Sequence, residues 1–235
     1  MNLTMSLWRL NTLLLAFACL LAGLQAAEAP LSLPAAARAH LAAGSKVIKM
    51  ATGDLNADGQ ADLVFVGEAT DPKKIKKRDD GYELNGNTRT VVVLLADKEG
   101  YRKVCESAKF IPPSYTLEFD NFIERFHGLR IEKGVVSVTF SWFASVGTAW
   151  TSMETFKFRL EKGRVRLIGA EEDSYSRTLG DKILTSTNYL TGKRKVTSGL
   201  KEFDDEPSHP KITWEDLESQ KTLYLEDLPP CGRKD

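Results

Sequence analysis

From Leu129 to Leu167 the apolar residues recur on every second position, and that spacing confines this part of the chain to β-strands. Val136, Val138, Phe140 and Trp142 share one face of a strand, and Phe156, Phe158 and Leu160 share one face of the next. Ser, Thr, Lys and Arg mostly fill the alternate positions, so each strand sets one face on a core and the other in water. Lys133-Gly134 and Glu161-Lys162-Gly163-Arg164 read as the hairpin turns between them. Leu129 and Ile131 lead into the first turn, and Val165 to Gly169 leaves the second.

The N-terminal half is β-like in a different way. Val91-Val92-Val93-Leu94-Leu95 is an uninterrupted apolar run, which implies a strand buried on both faces. Asp97-Lys98-Glu99-Gly100 turns it back into a partner at Tyr101 to Cys105. Earlier, Lys46 to Met50 and Asp62 to Glu68 read as two strands flanking a polar loop. Pro34 to Ala43 is alanine-rich and expected to be a short helix stopped by Gly44. Thr70 to Thr88 is a polar excursion whose Lys73, Lys74, Lys76, Lys77 and Arg78 face Asp79 and Asp80; a solvated flap is favoured over a phosphate patch. Ile111-Pro112-Pro113-Ser114 interrupts the chain, and Lys201 to Asp235 reads as a polar arm anchored by Trp214 and Leu223 to Leu225. The expected fold is mainly β, with antiparallel sheets in a meander or sandwich and one short N-terminal helix.

The first residues carry an address. After Arg9, Leu13 to Leu24 form an apolar run followed by Ala26, Ala27 and Ala29, the pattern of a signal peptide over 1–26 and too short for a membrane span. Cys19 follows Ala16-Phe17-Ala18, a poor lipidation signal. Cleavage leaves about 208 residues: one β-rich domain over 27–200 and the arm over 201–235. The expected location is the periplasm or outside the cell, without stable membrane insertion. With 32 basic and 32 acidic residues the chain has no surplus of positive charge to draw it to nucleic acid. Cys105 and Cys231, left after cleavage in an oxidising compartment, are expected to form a disulfide.

The loop between the two early strands carries the only definite chemistry. Asp54, Asn56, Asp58 and Asp62 place oxygen-bearing side chains at alternating positions, and Gly59 allows a sharp turn. With the main-chain carbonyl of Gln60, these are the ligands expected of a hard cation, Ca2+ first among them. An EF-hand would need a bidentate Glu where Phe65 stands and a helix where Leu63 to Val66 reads as a strand, so this is a different loop. The competing reading is an Asx-rich turn that merely starts a strand. The pattern, Asp-x-Asn-x-Asp-Gly-x-x-Asp running into a strand, resembles the FG-GAP or VCBS-type calcium loop of secreted and cell-surface proteins. Over Thr52 to Val66 that resemblance implies Asp54, Asn56, Asp58, Gln60 and Asp62 as metal ligands. Leu167-Ile168-Gly169, Asp173-Ser174-Tyr175 and Asn188 to Lys193 further resemble a group of exported bacterial proteins that pair such a loop with a β-meander. That group implies a shared fold and export, and brings no activity with it.

Catalytic signatures are missing from the sequence: there is no Gly-x-Ser-x-Gly, His-Glu-x-x-His or Cys-x-x-Cys, and His40, His127 and His209 have no spacing for catalysis or metal. The expected function is therefore a non-catalytic exported protein that binds an envelope protein or a glycan, with calcium in a structural role. Trp142 and Trp150, beside Ser, Thr and Gly, are the candidate glycan platform, although tryptophan is also simply a large core residue. One alternative is a small secreted hydrolase or hydrolase accessory whose paired carboxylates are drawn from Asp120, Glu124, Glu154 or Glu172, among which the sequence does not choose. Another is a purely structural envelope component.

Overall fold

A computed structural model describes residues 31–81, 83–114, 126–143, 147–203, 207–218 and 221–231. The signal peptide expected over 1–26 lies outside the described residues, as do Asp120 and Glu124. Two antiparallel meanders build the molecule. The first is a four-stranded sheet in the order β1 (Ser45–Gly53), β2 (Asp62–Ala69), β5 (Arg89–Asp97), β6 (Gly100–Ser107). Between β2 and β5 a small hairpin branches off, formed by β3 (Ile75–Lys77) and β4 (Glu83–Asn85). The second is a seven-stranded sheet in which strands neighbouring in sequence are neighbours in space. It runs through β7 (Phe126–Glu132), β8 (Val135–Phe143), β9 (Trp150–Glu161) and β10 (Arg164–Ser176), then β11 (Asp181–Asn188), β12 (Lys193–Lys201) and β13 (Lys211–Asp216). At the β7–β8 and β9–β10 turns, Lys133 and Gly134 have φ of 51° and 74°, and Lys162 and Gly163 have 51° and 77°. These are the left-handed pairs that match the twist of a two-residue hairpin.

The sheets pack face to face over one core. Val64, Val66, Val91, Val93 and Leu95 of the small sheet meet Phe126, Val136, Val138, Phe140, Phe158, Val165 and Leu167 of the large one. Phe110, in the crossover between the sheets, sets its ring edge-on to Phe140, Phe156 and Phe158 at 5.4–5.6 Å. The alternate residues Leu63, Phe65, Val92 and Leu94 point the other way and are covered by Leu33 and Ala37. The run Val91 to Leu95 is thus buried on both faces, as its sequence implies. The covering segment is a 3-10 helix over Ala35–His40, shorter than the helix expected over 34–43. Its bonds run Ala37 N–H to Pro34 carbonyl and Leu41 N–H to Arg38 carbonyl at 2.9 and 3.1 Å. That tight turn lays Ala37 and Leu41 along the sheet, above Gly67, where a Cβ would come within 2.9 Å of Leu41 Cδ1.

Two further expectations are corrected. The arm read over 201–235 is in part a strand of the large sheet: 211–216 is β13, paired with β12, and of its expected anchors Trp214 is exposed while Leu223 and Leu225 do pack on the core. Beyond it, Leu223 accepts from Leu167 N–H at 2.9 Å. Leu225, Leu228 and Cys231 then fill the end of the inter-sheet core around a short 3-10 turn, Leu225–Asp227. The Cys105–Cys231 disulfide is not formed in this structure, although both cysteines are buried in the same core cluster. Cys105 Sγ is turned instead toward Glu226, donating to Oε2 at 3.4 Å. Burial first, and the Glu226 carboxylate second, push the Cys105 thiol well above its usual pKa, so it stays protonated.

Candidate functional site

The oxygen-rich loop leaves β1 and enters β2, which pair antiparallel from Ser45 opposite Ala69 to Gly53 opposite Asp62. It stands where the two sheets meet. A Cβ on Gly53 would come within 2.6 Å of Ile131 Cγ2 on β7, and the main chain of Asp54 and Leu55 passes 3.8 Å from the Cβ position of Gly134. Leu55 drops into the inter-sheet core while its neighbours stay outside. The turn requires φ of 61° at Ala57 and 82° at Gly59, and only the glycine adopts such an angle without strain.

Inside the loop the carboxylates are held by backbone amides. Asp54 Oδ1 accepts from Ala57 N–H at 2.7 Å and, more weakly, from Asn56 and Asp58 N–H at 3.2 and 3.3 Å; Oδ2 accepts from Gly59 N–H at 2.9 Å. Asp58 accepts from Gln60 N–H at 2.8 Å and from Asn56 Nδ2 at 2.8 Å. Those two bonds, the backbone one foremost, hold its carboxyl below the usual range and keep it ionised. Asp62 is fully buried. Its Oδ2 accepts from Leu55 N–H at 2.7 Å and its Oδ1 from Ala96 N–H at 2.8 Å, so it ties the loop to the end of β5.

The donors have the right chemistry for a hard cation and the right order along the chain. The structure, however, spends them on amides. Among the described residues no group of three or more His, Cys, Asp or Glu side chains is gathered as a metal cage. Of the five expected ligands, Asp54 lies at the centre of the loop. Asn56 and Asp58 touch each other on its exposed rim, with Gln60 beside them, and Asp62 is set inward as a structural strut.

The two tryptophans do not form one exposed platform. Trp142, near the end of β8, packs against the inter-sheet core, whereas Trp150, at the start of β9, is 39% exposed. Two other surfaces emerge. On the core side of the large sheet, beyond the small sheet's cover, Glu154 of β9 stands directly opposite Glu172 of β10. With Thr187, Tyr189, Arg194 and Glu215 they line a cleft of about 380 Å³. Like charges in register destabilise a sheet, which makes the pair conspicuous. Burial raises the pKa of the Tyr189 phenol, with Arg194 opposing and Glu154 reinforcing the shift.

On the opposite face a wider hollow of about 660 Å³ is lined by Met153, Glu171, Asp173, Lys182, Leu184 and Lys195, with hydroxyl side chains between them. Lys182 bridges Glu202 at 2.7 Å and Asp173 at 3.1 Å, and these bonds raise its pKa, so the ammonium remains charged. The sequence reading missed this hollow. Its members lie on five different strands, β8 to β12, and only the register brings them together. Comparison with protein-family models, with curated proteins and with solved structures returned no match.

Proposed function

We propose that the chain is an exported, non-catalytic binding protein that presents the outer half of its large sheet to an envelope protein or glycan. One observation carries this reading. Among the described residues, β11, β12 and β13 contribute no fully buried apolar side chain, although they extend the sheet by three strands. Strands that build no core still cost conformational entropy to order, and a surface for a partner is the return that explains keeping them. The hollow on that half mixes hydroxyls, carboxylates and ammonium groups, which suits a polyhydroxylated ligand. A glycan array with the mature chain is expected to give binding that weakens when Lys182→Ala and Asp173→Ala are combined. Binding that ignores these changes would refer the interaction to another surface.

Calcium belongs to the same proposal as a stiffener of the sheet junction, held by Asp54, Asn56, Asp58 and the Gln60 carbonyl, with Asp62 bracing the loop from within. The supporting observations are the all-oxygen donor set, the ionised Asp58 on the exposed rim, and the place of the loop between the sheets. Millimolar calcium is expected to raise the melting temperature, because extracellular sites of this kind bind at about 10⁻⁴–10⁻³ M. Asp58→Ala is expected to remove the increment while leaving the metal-free melting temperature nearly unchanged. Identical melting curves with calcium and with chelator would end this part of the proposal.

A second reading, a small hydrolase, is favoured by the Glu154–Glu172 pair alone. Their register sets the two side chains next to each other on one face of the sheet, and a retaining glycosidase uses two carboxyls about 5–5.5 Å apart. If it is correct, the protein turns over oligosaccharide and Glu172→Gln abolishes turnover. A panel of glycosides left uncleaved at high enzyme concentration would exclude it.

A further inference from the structure

The outermost strand of the large sheet, β13, has all six of its residues exposed. Its inner edge is bonded to β12: Leu217 N–H donates to Gly192 carbonyl at 2.9 Å. Counting back by twos, Glu215, Thr213 and Lys211 turn their backbone groups toward β12. The N–H and C=O groups of Ile212, Trp214 and Asp216 therefore point outward along an open edge. Open edges are ordinarily blunted with charges or proline and kept free of large apolar residues. Here Ile212 and Trp214 are 54% and 65% exposed. The register places both on the same face as Leu184 and Met153, which are also exposed. In that row Met153, Leu184 and Ile212 alternate with Asp173 and Thr197, so exposed apolar side chains recur among polar ones across the outer face as far as β13.

The occupant is specified by the sequence Lys211-Ile212-Thr213-Trp214-Glu215-Asp216 itself. Two copies of this strand related by a two-fold axis perpendicular to the sheet must pair residues of equal parity. That requirement keeps each face continuous across the junction. Centring the axis on Thr213 sets Thr213 opposite Thr213 and Ile212 opposite Trp214, twice. Ile212 and Trp214 are the residues with outward backbone groups, so each such pair exchanges N–H to C=O bonds in both directions. On the outer face this pairs isoleucine with tryptophan. On the other face it sets Lys211 of each copy against Glu215 of its neighbour. Apolar, hydroxyl and opposite-charge cross-strand pairs are each favourable, and this one register supplies all three. Moving the axis to Trp214 would instead put Ile212 opposite Asp216 and Lys211 opposite Leu217.

We infer that β13 is a self-association edge: two copies of this chain join their seven-stranded sheets through antiparallel β13–β13 pairing into one continuous sheet. A six-residue edge with one aromatic anchor per copy buries an area at the low end of specific interfaces, so the dimer is concentration-dependent rather than permanent. This inference goes beyond the binding reading and does not rest on it.

The test is sedimentation equilibrium of the mature chain over a micromolar-to-millimolar series, with Lys211→Glu and Glu215→Lys made separately and then mixed. Every residue of β13 is exposed, and Glu215 has only a long 3.8 Å contact with Arg194, so the fold tolerates both changes. Unchanged far-ultraviolet circular dichroism and melting temperature would verify this. The wild type is expected to reach the mass of a dimer and stop there. Each single variant places like charges opposite one another and is expected to weaken association at least about tenfold. An equimolar mixture of the two restores opposite charges at both positions and recovers the dimer. The inference is overturned by a wild type that stays monomeric throughout, by single variants that dimerise as well as the wild type, or by a mixture that associates no better than its components.

Discussion

Asp62 and Asp54 show how two identical side chains in one loop take unlike tasks. Asp54 is half-exposed and gathers loop amides at 2.7–3.3 Å, whereas Asp62 is wholly inside and bonds amides of two different segments. Removing Asp62 would leave the buried Leu55 N–H and the half-buried Ala96 N–H without acceptors, and an orphaned buried donor costs about 1–3 kcal/mol. Asp62→Ala is therefore expected to lose about 3 kcal/mol in denaturant unfolding with or without calcium. A loss that appears only when calcium is present would mean that Asp62 acts as a ligand rather than a strut. Read in sequence, Asp62 was the fourth donor of a metal pattern. Its second partner, Ala96, stands 34 positions away, and local spacing holds no record of that contact.

At the level of elements, the β3–β4 hairpin is fastened to the small sheet by one buried carboxylate. Glu68 on β2 receives Arg89 Nε of β5 at 2.8 Å and Asn85 Nδ2 of β4 at 2.9 Å, and Lys46 of β1 approaches at 3.3 Å. Glu68 and Arg89 are almost fully buried, so removing the Glu68 charge takes a close counter-charge from Arg89 in a medium that solvates it poorly. Glu68→Gln is expected to cost about 3 kcal/mol and to speed amide exchange in β3 and β4 first. Uniform exchange across the small sheet, or an unchanged stability, would contradict the role given to this carboxylate. The charge run at 73–80 thus belongs to a solvated flap, as its cancelling signs suggested, but the residues that hold the flap down lie at 68, 85 and 89, outside the run.

Across the whole molecule, legibility follows the core. Strands β5, β8 and β9 announce themselves because an apolar face is needed wherever the two sheets touch. β11 to β13 do not, since Thr185-Ser186-Thr187 and Lys193-Arg194-Lys195 supply no apolar side chain to a core and so carry no apolar alternation. The meander was read correctly to Leu167, and its continuation was taken in part for an arm. The face-to-face glutamates were named as candidates, yet their pairing depends on the register of β9 with β10, including the shift between Leu167 and Gly169. The hollow and the open edge are likewise products of register. Leu225, Leu228 and Cys231 form a short apolar patch in polar surroundings, and their destination beside Phe110 is more than a hundred positions earlier.

That last patch governs when the molecule can finish folding. The two sheets supply most of the wall between them by Leu167, yet the gap near Cys105 is stopped by Leu225, about sixty positions later. During synthesis the first half is consequently obliged to wait, unsealed, until the outer strands have been made. If the chain is exported as proposed, that delay keeps it pliable for passage and lets it lock once its closing residues arrive on the far side.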